Sequence, residues 1–150
     1  MVKENKGITL IALIITIIVL IIIGAIGVKA GRDSIRAGKD NRLWTELDMV
    51  QHAIMESYTK YKLTNDQNVL VGTRVPYSKA KTVADEMKVT LPEQLTYYEL
   101  KREDLKKLGL EESEYEYIVN YDNGIVINSK EKLTNNGEAL YKDTGMIINR

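Results

Sequence analysis

Ile8-Thr9-Leu10-Ile11-Ala12-Leu13-Ile14-Ile15-Thr16-Ile17-Ile18-Val19-Leu20-Ile21-Ile22-Ile23-Gly24-Ala25-Ile26-Gly27-Val28 is 21 residues without a charge, and its reading decides the rest of the chain. A helix rising 1.5 Å per residue needs about 20 residues to cross the hydrocarbon core of a bilayer. Lipid offers the backbone no hydrogen bonds, so a spanning segment has to be one continuous helix. The interruptions are Thr9, Thr16, Gly24 and Gly27. A threonine hydroxyl returns its hydrogen bond to a carbonyl one turn back, which keeps it compatible with lipid. A core helix of a soluble domain would carry a polar stripe at every third or fourth position, and this stretch carries none. Residues 8–28 are therefore expected to form a transmembrane helix.

The junction in front of the run is particular. Lys3, Glu4 and Lys6 lead to Gly7, and the apolar run begins at the next residue. Lys6-Gly7-Ile8-Thr9-Leu10-Ile11, with Leu13 also in place, resembles the type IV pilin and pseudopilin family. In that family a basic leader and a glycine precede a hydrophobic helix. The resemblance implies that residues 1–7 are a cytoplasmic leader, cut between Gly7 and Ile8 by a prepilin peptidase, and that Ile8 becomes the N-methylated terminus. Lys6, Gly7, Thr9 and Leu10 would be the recognition motif. A glycine without a side chain suits close approach of a peptidase to the backbone.

One residue departs from the family pattern. Where the family usually places a glutamate, five residues into the mature chain, this sequence has Ala12. An unpaired carboxylate in the membrane is costly, so Ala12 favours insertion but removes the usual charged contact between neighbours. It points to a minor subunit or to a Gram-positive filament built without that glutamate. The resemblance covers roughly the first 30 residues and otherwise only the layout of the chain.

Two alternatives bear on the N-terminal segment. The first is an ordinary secretory signal cut after Gly27 or Ala30, although the apolar run exceeds the usual 7–15 residues. The second concerns orientation. Lys29, Arg32, Arg36, Lys39 and Arg42 follow the run, against Lys3 and Lys6 before it. The positive-inside rule applied to these flanks alone puts the C-terminal side in the cytoplasm, whereas the resemblance puts the leader inside and the head outside.

Composition bounds what the head does. The full chain is 150 residues, which leaves one modest domain beyond the anchor. Its formal net charge is zero, so nothing in it favours nucleic acid. With no cysteine there is no disulfide, thiolate metal site or thiol nucleophile. Nine tyrosines and no phenylalanine put the aromatic core on tyrosine, which buries its ring and keeps a polar hydroxyl.

Residues 29–63 read as an amphipathic helical extension. Leu43, Leu47, Val50, Ile54 and Tyr61 fall at helical spacing, with Trp44 and Tyr58 alongside. Gly31 and Gly38 weaken its first turns by about 1 kcal/mol each relative to alanine and mark a flexible or bent neck. Residues 64–150 read as a small α+β head. Thr64–Asn68 is a turn, Val69-Leu70-Val71 a short strand, and Gly72–Pro76 a loop. Ser78 caps a helix from Lys79 to about Met87, with Ala80, Val83, Ala84 and Met87 on one face. Tyr97–Leu100 is extended, and Lys101–Leu108 forms a short helix stopped by Gly109. Tyr115, Tyr117, Val119 and Tyr121 alternate onto one side of a strand. Asp122-Asn123-Gly124 then turns into Ile125–Asn128, a strong hairpin signal. Turns at Asn135-Asn136-Gly137 and Thr144-Gly145 bracket Ala139–Tyr141 and Met146–Ile148. The expected fold is a long N-terminal helix on an antiparallel meander of three or four strands, which is also the pilin layout.

No catalytic constellation is evident, no metal set, and no need for a cofactor. His52 stands alone, and serines 34, 57, 78, 113 and 129 lie in no nucleophile-elbow context. The acidic run Glu111–Glu116 lacks the spacing and central glycine of a calcium loop. The expectation is a non-enzymatic structural subunit of a type IV pilus or a type II secretion-like filament. It would cross the cell membrane once and then join a surface filament. Its partners would be the membrane, copies of itself or other pilin-like subunits, the prepilin peptidase and, indirectly, an assembly ATPase and its platform protein. The rival expectation is a membrane-tethered extracellular binding module that never polymerises.

Overall fold

The computed structural model describes residues 4–110 and 113–144, with side chains from Thr9 onward. Its elements are α1 (Glu4–Thr64), a 3₁₀ turn at Gln67–Val69, β1 (Thr73–Val75), α2 (Tyr77–Glu86), β2 (Tyr97–Leu100), α3 (Arg102–Lys107), β3 (Tyr117–Asn120), β4 (Ile125–Asn128) and β5 (Tyr141–Lys142). The architecture is α+β, a long N-terminal helix and a small antiparallel sheet of five strands in the order β1-β2-β3-β4-β5. The chain divides into two compact units, one ending at Lys39 and the other beginning at Asp40.

The first unit is helical, and every side chain from Thr9 to Lys39 is exposed. Helix α1 begins at Glu4, ahead of the apolar run, and its helical assignment passes without a break through Gly31 and Gly38, where a neck was expected. Thr16 Oγ1 donates to the Ala12 carbonyl at 2.8 Å, the back-bonding that lets a threonine sit in an apolar helix.

The second unit contains the core, which lies on both faces of the sheet. On one face the upper part of α1 presents Leu43, Leu47, Val50 and Ile54, each at most 1% exposed and spaced by four, three and four. Leu47, Val50 and Ile54 pack with Leu100, Leu105, Tyr117, Val119, Tyr121 and Val126. On the other face Ala80, Ala84 and Met87 of the α2 region pack with Tyr97, Ile118, Ile125 and Ile127. Small alanines on the buried side of α2 allow close approach of that helix to the strands. Alternation along β3 sends Tyr117 and Val119 to one face and Ile118 to the other, so both β3 and β4 are buried throughout. Each buried aliphatic side chain contributes about 1.5–3 kcal/mol.

Several local expectations are corrected. Val69-Leu70-Val71 is not a strand; the 3₁₀ turn ends at Val69, and pairing starts at Thr73. Gly72–Pro76, expected as a loop, contains β1, which pairs with β2 through Thr73↔Glu99 and Val75↔Tyr97. Gly72 makes this possible: its φ is +104°, and a Cβ there would lie 2.7 Å from the Glu99 carbonyl oxygen. Helix α2 begins at Tyr77 behind Pro76, not behind Ser78. The fixed φ of proline presets the chain for helix entry. The meander has five strands, not three or four, because β1 and β5 extend it at either edge.

Other expectations hold with adjusted bounds. The β3–β4 hairpin closes on Asn120↔Ile125, with Asn120 Oδ1 accepting from the Asn123 N–H at 2.8 Å. Asp104 Oδ2 accepts from the Lys101 N–H at 3.0 Å at the start of α3. The helix ends in a Schellman arrangement, with the Leu110 N–H on the Leu105 carbonyl and Gly109 at φ +86°. The Asn135-Asn136-Gly137 turn is held by Asp40, whose carboxylate accepts from the Asn135 N–H and side-chain amide at 3.1 and 2.9 Å. Gly145 and the Met146–Ile148 segment expected as extended lie outside the described residues.

Candidate functional site

The residues singled out for processing and assembly fall in the first unit. Lys6, Gly7 and Ile8 belong to α1, so the Gly7–Ile8 bond lies in helical backbone. Thr9, Leu10 and Ala12 follow on the same helix with exposed side chains. From Leu10 to Val28 the apolar side chains are exposed all round: Leu10 61%, Ile15 55%, Leu20 63%, Ile26 65%. A surface of this kind and length is one candidate membrane-spanning helix near the N-terminus. Among the described residues of the first unit, every apolar side chain from Leu10 to Val28 is exposed.

Within the second unit the most developed concavity is an open groove of about 560 Å³ lined by Arg42, Thr45, Glu46, Met49, Leu110 and Ser113, with Gly109 at its edge. A second hollow shares Thr45, Met49 and Leu110 and reaches His52. Beneath the groove Ser113 donates a hydrogen bond to Glu46. Tyr117 is fully buried, and burial, followed by the Glu46 carboxylate, pushes its hydroxyl well above the ordinary tyrosine range. A tyrosine held protonated is no base. Among the described residues Ser113 has a carboxylate neighbour and no imidazole, which is not the nucleophile–base–orienter relay of acyl transfer. Its evident work is to tie α1 to the segment entering β3.

The remaining candidates have structural roles. His52 is exposed, and its Nδ1 donates to the Asp48 carbonyl one turn back at 2.8 Å. Among the described residues no group of three or more His, Cys, Asp or Glu side chains is placed to hold a metal ion. Of the acidic run, Glu111 and Glu112 lie outside the described residues, and Glu116 faces Lys130 at 3.5 Å. In the hairpin, Asp122 accepts a hydrogen bond from Tyr58, which raises the Tyr58 pKa.

Of the nine tyrosines, Tyr97, Tyr117 and Tyr121 are buried in the core. Tyr97 and Tyr121 are at most 3% exposed, and their hydroxyls donate to the carbonyls of Pro92 and Val71 at 2.7 and 2.6 Å. Burial, the main cause for both, raises their pKa values well above the ordinary range. Tyr98 and Tyr115 are half-buried against the cluster that holds Tyr117 and Tyr121.

No protein-family model, curated protein or solved structure matches this chain.

Proposed function

We propose that this protein is a non-enzymatic structural subunit of a pilin-like filament, held in the membrane by residues 8–28 before assembly and processed between Gly7 and Ile8. The observation that carries the reading is the apolar surface of Leu10–Val28, exposed on every side of α1 and directly preceded by Lys6-Gly7-Ile8-Thr9. Such a surface requires either lipid or other helices of its kind. A filament subunit uses both in turn, because extraction from the bilayer is feasible when the same side chains are re-buried between copies.

The helical backbone at Gly7–Ile8 bears on processing. A peptidase requires extended chain, and glycine lowers helix stability by about 1 kcal/mol relative to alanine. Local unwinding at Gly7 is correspondingly cheap. Two buried clusters on either side of a five-stranded sheet supply a folded head built without cysteine. Assembly with the prepilin peptidase, an ATPase and a platform protein belongs to the same proposal, as does placement of the head outside the cell.

The rival reading is a membrane-tethered extracellular binding module that does not polymerise, and it rests on Ala12, which removes the usual charged contact between neighbours. The sequence has no cysteine, so introduced cysteines separate the two cleanly. Variants carrying a pair of cysteines on opposite sides of the 10–28 segment, such as Leu13→Cys with Ile22→Cys, nine residues and half a turn of phase apart, are expressed in the native host and oxidised. A filament yields a ladder of cross-linked multimers in the material sheared from cells. A tether yields monomer that stays with the membrane.

A further inference from the structure

We propose that Lys29, Arg32, Arg36 and Lys39 form a docking stripe for the anionic phosphate headgroups of the membrane that holds residues 8–28. The inference rests on the reading of that segment as membrane-spanning, and it holds whichever side of the membrane the stripe faces.

The stripe is defined by spacing. The four cations step by three, four and three residues along α1, which places them within about a quarter of the helix circumference at 3.6 residues per turn. Ala30, Gly31, Ser34, Ala37 and Gly38 occupy the rest of the surface with Ile35. Asp33 is the one carboxylate between residues 29 and 39, and it lies on the flank of the stripe beside Lys29. A solvated helix with no partner has no reason to segregate its cations from its small residues in this way. All of these side chains are exposed.

The distances suit a headgroup layer. The polar zone on each side of the hydrocarbon core is about 5–8 Å deep. With Val28 at the edge of the core, the rise per residue puts Lys29 about 1.5 Å and Arg32 about 6 Å beyond it, inside that zone. Arg36 lies about 12 Å beyond and Lys39 about 16 Å. Side chains on a helix lean toward its N-terminus, which here is toward the membrane. Long basic side chains extend their charged ends to the interface, so Arg36 reaches back to the phosphates. Lys39 then acts across roughly a Debye length of about 8–10 Å. Zwitterionic headgroups offer the same phosphates but cancel them with a cation, so the occupant to which the stripe is complementary is an anionic lipid.

Each cation near an anionic surface is worth about a five-fold preference, which the four need not contribute in full. The test uses the full chain, purified and reconstituted into bilayers mixing phosphatidylcholine and phosphatidylglycerol. Lipid that stays bound after detergent extraction is then quantified by native mass spectrometry. The expected result is a several-fold enrichment of phosphatidylglycerol over the bulk bilayer, reduced at high salt. K29Q/R32Q/R36Q/K39Q is expected to abolish the enrichment, while K106Q/K107Q, changed on the exposed side of α3, retains it. Retained lipid with the bulk composition in the unsubstituted chain, or equal enrichment in both variants, overturns the proposal. A chain that fails to enter either lipid overturns the membrane reading itself, a result distinct from insertion without preference.

Discussion

Helix α1 contains two apolar segments that meet their surroundings in opposite ways. Between Leu10 and Val28 the large side chains are 45–65% exposed on every side. Between Leu43 and Ile54 four of them are at most 1% exposed, and Thr45, Glu46, Asp48, Gln51 and His52 lie between them. The chain thus holds one hydrophobic surface satisfied by its own sheet and one that its own fold leaves uncovered. Period decides which is which: a stripe spaced by three and four serves a single neighbour, while a continuous run serves a medium or a ring of neighbours. Stability of the head and fate of the first segment are consequently separable, and perturbations of one are expected to leave the other unchanged.

Alkaline pH should break the comparison most completely. Tyr97, Tyr117 and Tyr121 are protonated in the fold with pKa values raised above the ordinary 10.0, chiefly by burial. Below pH 10 both folded and unfolded states keep these protons, and stability is independent of them. Above it the unfolded chain releases protons that the fold retains, so stability falls by about 1.4 kcal/mol per pH unit for each tyrosine. The expected outcome is cooperative loss of the head above about pH 11, seen as tyrosinate absorbance rising together with loss of near-ultraviolet dichroism. Gradual ionisation in an intact head would contradict it.

Truncating one side chain in each segment sharpens the contrast. Ile54→Ala should destabilise the head by about 2–5 kcal/mol in denaturant titration in a mild detergent, through lost burial and the cavity left behind. Ile18→Ala, on the same helix, should change that titration by less than about 0.5 kcal/mol. Equal effects would mean that the 10–28 segment contributes to the head's fold.

A smaller effect is expected at the sheet edge. Gly72→Ala puts a Cβ 2.6 Å from Leu100 Cδ2 and 2.7 Å from the Glu99 carbonyl oxygen, at φ +104°. A loss of about 1–3 kcal/mol is expected from backbone strain, accompanied by faster amide exchange in β1. Unchanged stability would show that β1 adds nothing to the head.

What could be read before the structure followed from strength of pattern. The Leu43–Ile54 stripe, the β3–β4 hairpin and the glycine stop after α3 each have a local cause, and each formed where expected. Strand β1 was missed because it is three residues long with Thr73 and Arg74 exposed, and only its partner β2 makes it a strand. Burial of the sheet on both faces was not anticipated either. The apolar Ile118, Ile125 and Ile127 that take them to the second face were visible, but the helix that covers them depends on two alanines. At the candidate site, the proposed processing junction rests on a contiguous motif, Lys6-Gly7-Ile8-Thr9-Leu10, which needs no folding to be read. The groove beside Met49 was not legible, because it joins α1 to residues more than 50 positions away. The cations after Val28 were noted for their sign, and their shared face emerges only from helical phase.

The central claim is that residues 8–28 act as a processed membrane segment that later becomes filament core. Intact mass and N-terminal sequencing of the protein purified from its native membrane test it most directly. The account predicts a chain beginning at Ile8 with a methylated amine. A chain beginning at Val28 or Gly31, or one that still retains the residues before Ile8, would contradict it.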